Sequence, residues 1–350
     1  MKKRTSVLLA AALLIGILAG CGGGNTTTQE VVNVYNWGEY MDEDLLAQFE
    51  SETGIKVNLL TYETNEQMYS VLKQGGVNYD VIVPSDYMIA RMIEEDMLEK
   101  IDFANVPNFE HIDDEFMGMV FDPTNEYSVA YTWGTTGLIY NSAMIDEEPT
   151  SWGALFDEKY SDQILMFDNS RDAMGIALKY LGYSFNTANK AELDEAFALL
   201  QEQKPLIQAY VMDQIFDKLE GGEAAIGPYY AGDYLTMIEN NPDLIFIVPD
   251  EGSNVFVDSM CIPKGAANKK NAEIFINFMC EAEVSYTNCV FIGYTSPITE
   301  VRAMFEEELD EYEFNIMYPS DDILAKCEPF THLPAETLEQ YNEYWVLLKS

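Results

Sequence analysis

Histidine is nearly absent from this 350-residue chain, which holds only His111 and His332. Both lie in loop-like stretches that are acidic or contain proline, and they read as surface residues. Histidine-based acid–base or metal chemistry therefore has little to draw on. The G-x-S-x-G nucleophile elbow, the G-x-x-x-x-G-K-[ST] phosphate loop and the H-E-x-x-H zinc helix are all missing. So is the D-x-[DN]-x-[DN]-G calcium loop. No cofactor and no resident metal are expected. Basic residues are scarce too, with 19 Lys and Arg against 60 Asp and Glu, for a net charge of −41. Phosphate recognition needs a basic surface, so nucleic acid is set aside as a partner and phosphate-bearing substrates are disfavoured. The same field attracts cations.

Cysteine is sparse and never spaced C-x-x-C, which removes thioredoxin-like and zinc-ribbon readings. Of the five cysteines, Cys21 belongs to the leader described below. Cys261, Cys280, Cys289 and Cys327 could pair in three ways, and their spacing does not choose among them. Cys261 sits in the apolar run Met260-Cys261-Ile262 and is expected as a buried thiol. Beyond the first twenty residues no apolar run is long enough to span a bilayer.

What is present begins with an address. Lys2, Lys3 and Arg4 precede the uncharged run Val7–Leu18, which ends Leu18-Ala19-Gly20-Cys21. A basic n-region and a short apolar h-region make residues 1–20 a signal peptide. The ending resembles the bacterial lipobox, which implies lipidation at Cys21 and attachment to the outer face of the cell membrane. Residues 21–30, rich in Gly and Thr, read as a flexible tether. The whole chain is 48% hydrophobic and 13% aromatic. That suffices for packed cores, and the length suggests two domains.

Strand-like and helix-like segments alternate. Val31–Tyr35, Ile55–Leu60 and Tyr79–Val83 read as strands, with helices over Asp42–Glu52 and Glu66–Lys73 and from Asp86. A second set follows, with strands over Gln163–Phe167, Ala224–Ile226, Leu244–Val248 and Phe256–Ile262. Its helices are Ala173–Leu181, Lys190–Gln203, Asp213–Glu220, Asn271–Cys280 and Pro334–Leu348. This order predicts an α/β fold with a largely parallel sheet in each of two lobes and a cleft between them. Ligands of open α/β sheets sit beyond the carboxyl ends of the strands.

Those ends carry aromatic residues beside acids. Trp37 and Tyr40 flank Glu39, and Tyr87 follows Asp86. Tyr229 and Tyr230 lead into Asp233, Phe256 comes two residues before Asp258, and Tyr294 closes Phe291-Ile292-Gly293-Tyr294. An alkyl polyammonium ligand needs this mixture: flat apolar walls for its methylenes, and carboxylates with π faces for its ammonium ends. Each aromatic taken singly also suits a core. A receptor for a sugar, amino acid or iron complex, a secreted hydrolase using two carboxylates, and a structural surface protein are competing readings.

Five segments occur in a family order: Tyr35-Asn36-Trp37-Gly38-Glu39-Tyr40, Glu52-Thr53-Gly54-Ile55-Lys56-Val57, Tyr79-Asp80-Val81-Ile82-Val83-Pro84-Ser85, Phe256-Val257-Asp258-Ser259 and Ile292-Gly293-Tyr294-Thr295-Ser296-Pro297. With them the chain from Val31 onward resembles the spermidine/putrescine-binding proteins of bacterial polyamine ABC transporters. The resemblance implies a monomeric, non-enzymatic receptor of the two-lobe, type II periplasmic-binding-protein fold, hinged around its ligand. Its partners would be a polyamine, a permease with its ATPase and, through the lipid, the membrane. The lobes would comprise 31–135 with 255–302, and 136–254 with 303–350. By the same resemblance Trp37, Tyr40, Ser85, Tyr87 and Tyr294 would line the ligand, and Asp258 would grip an ammonium group. From the second lobe would come Asp172, Tyr230 and Asp233, and Phe256 matches a family aromatic that is tryptophan or phenylalanine. Three departures bear on ligand choice. Asn169 replaces a frequent carboxylate, Asp172 is one methylene shorter than the usual glutamate, and Phe330 aligns with a polar amide of spermidine binders. Asp233 and Phe256 match putrescine-preferring relatives. Asp213 reads as an exposed acid at a helix start.

Overall fold

The computed structural model describes residues 29–350. The expected signal segment, Cys21 and most of the tether lie outside the described residues. The strands are β1 Val31–Trp37, β2 Lys56–Tyr62, β3 Val81–Ile82, β4 Ser128–Asn141, β5 Ile164–Phe167, β6 Ile207–Val211, β7 Ile226–Tyr230, β8 Leu244–Ile247 and β9 Val255–Cys261. They join in the order β2-β1-β3-β9-β4-β7-β5-β6, with β8 also on β4. The flanking pairs are parallel, as expected from the alternating elements. The centre is not: β9 and β4 run antiparallel to each other, and β4 is antiparallel to β7 and β8.

β4 is the central element that the sequence did not disclose; the edge strand β6 and the helices Ala231–Asn240, Ala282–Ile292, Thr299–Glu308 and Glu311–Met317 were also not expected. Its fourteen residues are all buried, so it lacks the alternation of a one-faced strand. Two glycines further blur the pattern, and Gly137 is required by packing. A Cβ there would lie 2.5 Å from the Ile247 carbonyl oxygen and 2.3 Å from the Phe246 ring, where β8 crosses. The first half of β4 pairs with β9 and the second half with β7 and β8. One strand thus runs from one core into the other. The first core holds Val32, Val34, Phe49, Phe275 and Met260. The second holds Leu138, Trp152, Met166, Phe167 and Tyr234. Val301, Phe305 and Tyr318 still pack in the first, while the helix Ala335–Lys349 contributes Tyr341 and Leu348 to the second.

Local signals set the helices around this frame. Asp42 caps the helix Glu43–Thr53 through the Asp44 N–H, and Gly54 ends it at φ 75°. Thr64 caps Asn65–Gln74 through the Gln67 N–H. Pro84 has no N–H to extend a ladder, and β3 is cut to two residues before the helix Asp86–Glu94 begins. The helices Ser170–Tyr180 and Ala231–Asn240 start directly after β5 and β7. Among the described residues, no helix is long and apolar enough to cross a membrane. Cys261, Cys280 and Cys289 are buried free thiols, and Cys327 is half-buried and free.

Candidate ligand-binding site

A cavity of about 880 Å³ lies where the ends of β1, β3, β5 and β7 meet β9. That is at the upper end of small-molecule sites, roughly 300–1,000 Å³. Its walls carry seven carboxylates and one basic residue, Arg171. Trp37, Tyr40, Ser85, Tyr87, Asp172, Tyr230, Asp233, Phe256, Asp258 and Tyr294 all line this one cavity. Asn169, Asp213 and Phe330 line it as well.

Each wall is held by backbone or long-range contacts. The Trp37 indole N–H donates to the Val83 carbonyl at 2.8 Å, and its ring lies 4.7 Å from that of Tyr62. The Tyr40 hydroxyl donates to Asp258 Oδ2 at 2.8 Å and lies 2.5 Å from Thr132 Oγ1. Ser85 forms a β-bridge with Asp258, and its hydroxyl accepts from Asn65 Nδ2 at 3.0 Å. The Tyr40, Tyr294, Phe256 and Tyr230 rings form a chain of contacts, with centroids 5.1, 6.1 and 5.5 Å apart. Tyr294 donates to Asp233 Oδ2 at 2.5 Å, joining the two halves of the site. That junction depends on close backbone approach. A Cβ on Gly232 would lie 2.6 Å from the Tyr294 ring and 2.7 Å from the Gly293 carbonyl oxygen.

Three of the acids share a local cause. Asp86, Asp172 and Asp233 each lie in the first turn of a helix, where the macrodipole favours negative charge. Burial works against that charge. It pushes the Asp172 carboxyl up to about 7, with Arg171 pulling down and Glu66 pushing up. It pushes Asp233 up to about 7 as well, against the Tyr294 hydrogen bond. Asp258 rises to about 6 by burial, opposed by the Ser85 and Tyr40 hydroxyls. Asp258 Oδ1 is buried without a partner. An unpaired buried carboxylate is costly, so this set is stabilised by a cation arriving among it.

The second-lobe end is less uniform than the acids alone suggest. The Arg171 guanidinium stands 4.6 Å from the Phe330 ring centroid and donates to Asn186 at 2.8 Å and to the Thr331 carbonyl at 3.1 Å. Phe330 packs edge-on to Tyr87 at 6.1 Å and to Phe185 at 5.5 Å. Asn169 uses its side chain to cap the Ser170–Tyr180 helix through the Arg171 N–H at 2.8 Å. Asp213 is exposed, as expected, yet accepts from the Tyr229 hydroxyl at 3.2 Å. His332 is half-buried rather than free on the surface, with Nε2 3.6 Å from Glu94 Oε2. Sequence reading missed Asn65, Tyr62 and Arg171. Tyr62 ends β2 directly before Glu63, an aromatic–acid pair at a strand end that was available in the sequence and passed over, whereas Asn65 and Arg171 are not themselves part of such a pair.

A family model of bacterial extracellular solute-binding proteins matches residues 44–314. The chain belongs to that family. As a member of these solute-binding proteins it has close relatives over its full length. A Salmonella typhimurium protein named as a spermidine/putrescine-binding periplasmic protein is 36% identical, with 100% of this chain and 99% of the relative covered. Among solved structures, a Listeria monocytogenes protein described as a candidate spermidine/putrescine ABC transporter is 38% identical, covers 91% of this chain and 99% of its own, and superimposes with a TM-score of 0.86. The Tp0655 lipoprotein of Treponema pallidum is 29% identical, with 91% and 99% covered and a TM-score of 0.83. The solute-binding protein described here therefore has the two-lobe, type II fold of its family, and the cavity is its interlobe cleft.

Proposed function

We propose that this protein captures a linear polyamine, putrescine or spermidine, outside the cytoplasm and hands it to an ABC permease. It acts as a carrier and performs no chemistry on its ligand. The observation that carries this reading is the meeting of Asp172, Asp233 and Asp258 with Trp37, Tyr230, Phe256 and Tyr294 around one cavity. Ammonium groups would neutralise the buried acids, and the rings would flank the methylenes. The names of the relatives agree with that chemistry. Closure follows from bridging: a cation held by acids on both lobes binds the closed state better than the open one. Phe256, Asp233 and the apolar Phe330 favour a diamine over a triamine. In this reading residues 1–20 are removed, and a lipid on Cys21 keeps a monomeric receptor at the membrane beside its permease.

The test is thermal unfolding of the purified protein lacking residues 1–21. Putrescine or spermidine should raise the melting temperature, and glucose or glutamate should not. Absence of any shift with polyamines at millimolar concentration overturns the proposal.

A further inference from the structure

Asp86 opens the helix Asp86–Glu94 directly behind Ser85, and it lines the same cavity as Asp258. It is 1% exposed. Its Oδ1 accepts from the Tyr87 N–H at 2.6 Å, and the Val257 N–H faces the same carboxyl. Its Oδ2 is buried with no partner. Across the Ser85–Asp258 bridge, Asp258 Oδ1 is in the same condition. Among the described residues, no Lys, Arg or His forms an ion pair with either acid.

Buried polar groups are almost always satisfied, and two unsatisfied carboxyl oxygens on one wall call for a donor. An ammonium group brings three N–H donors on one nitrogen. The two orphan oxygens and the neighbouring Ser85 hydroxyl supply three acceptors. The hydrogen bond from the Tyr87 N–H alone does not account for an acid at this position. An asparagine at position 86 would accept the Tyr87 N–H equally well and would avoid burying a carboxyl.

Resting on the polyamine reading above, we propose that Asp86 is a further ligand-binding residue, which holds one ammonium group of the cation jointly with Asp258. This end of the cleft then grips by two acids rather than one. The proposal is tested by titration calorimetry with putrescine on the wild type, D86N, D258N and the double variant. D86N should weaken putrescine at least about tenfold, the scale of a lost charged hydrogen bond. The empty D86N protein should melt no lower than the wild type, because the hydrogen bond from the Tyr87 N–H is kept and a buried acid is gone. The losses in the two single variants should fail to multiply in the double variant, as they must for groups sharing one donor. Asp86→Ser carries the same expectation with a smaller side chain and guards against misfolding of either variant. Wild-type affinity in D86N and D86S, or independent multiplying losses, overturns the proposal while leaving the polyamine reading intact. If the wild type itself binds no polyamine, that reading falls first and this inference falls with it.

Discussion

Acidification should weaken ligand binding while strengthening the empty fold. The cleft acids sit at about 7 for Asp172 and Asp233 and about 6 for Asp258, all raised by burial. A polyamine's ammonium groups, near a lysine's ordinary value of about 10.4, stay charged throughout the range of interest. Between pH 8 and pH 6 a carboxyl at 7 goes from about nine-tenths to about one-tenth charged, and one at 6 falls to about half. If all three hold the cation as carboxylates, affinity should drop on the order of 200-fold over those two pH units, and about twentyfold if only one of the pair at 7 takes part beside Asp258. The empty protein should respond with the opposite sign. Its raised acids bind protons more tightly when folded than when unfolded, where their ordinary value is 3.8. Their contribution to stability is therefore greatest in mild acid and is lost as pH rises through about 4 to 7. Calorimetric titration with putrescine at pH 8, 7 and 6 reads the first trend, at constant ionic strength so that screening does not change. Thermal unfolding without ligand reads the second. Affinity that stays level or improves on going from pH 8 to pH 6 would refute the reasoning.

Three further outcomes follow. Asp258→Asn should cost about 1.5–3 kcal/mol of polyamine binding, the range for a hydrogen bond to a charged group; calorimetry measures it, and unchanged affinity would move the site elsewhere. Gly232→Ala should lower stability by about 1–3 kcal/mol through overpacking against Tyr294 and Gly293, visible in denaturant unfolding. It should also weaken binding by parting Asp233 from Tyr294, so a variant as stable and as tight as wild type would contradict the packing argument. Phe330→Gln replaces an apolar wall with an amide that can accept from an added ammonium group, and the ratio of spermidine to putrescine affinity should rise. A ratio that stays put or falls in paired titrations would remove Phe330 from ligand choice.

Much of the molecule was legible because its signals are local. The helix over Lys190–Gln203 keeps its expected bounds, and Asp42, Thr64 and Gly54 mark helix ends by short-range hydrogen bonding and backbone freedom. Nine of the ten expected site residues lie within a few positions of strand ends or on β9, Tyr294 follows the end of the helix Ala282–Ile292, and all of them reach one cavity. The central strand β4 escaped notice because burial on both faces erases alternation.

Composition and order along the chain determined the acidic character, the alternating elements and the kinds of side chain that could face a cation. They did so because charge, periodicity and capping act over a few residues. Only the tertiary structure decided which of those side chains meet. Tyr40 reaches Asp258 across 218 positions, Tyr294 reaches Asp233 across 61, and Arg171 is stacked beneath Phe330 by a loop that returns from the far end of the chain. Burial, which raises the cleft acids and leaves two oxygens without partners, belongs to that assembly and to no single segment, because it arises only when distant elements exclude water together.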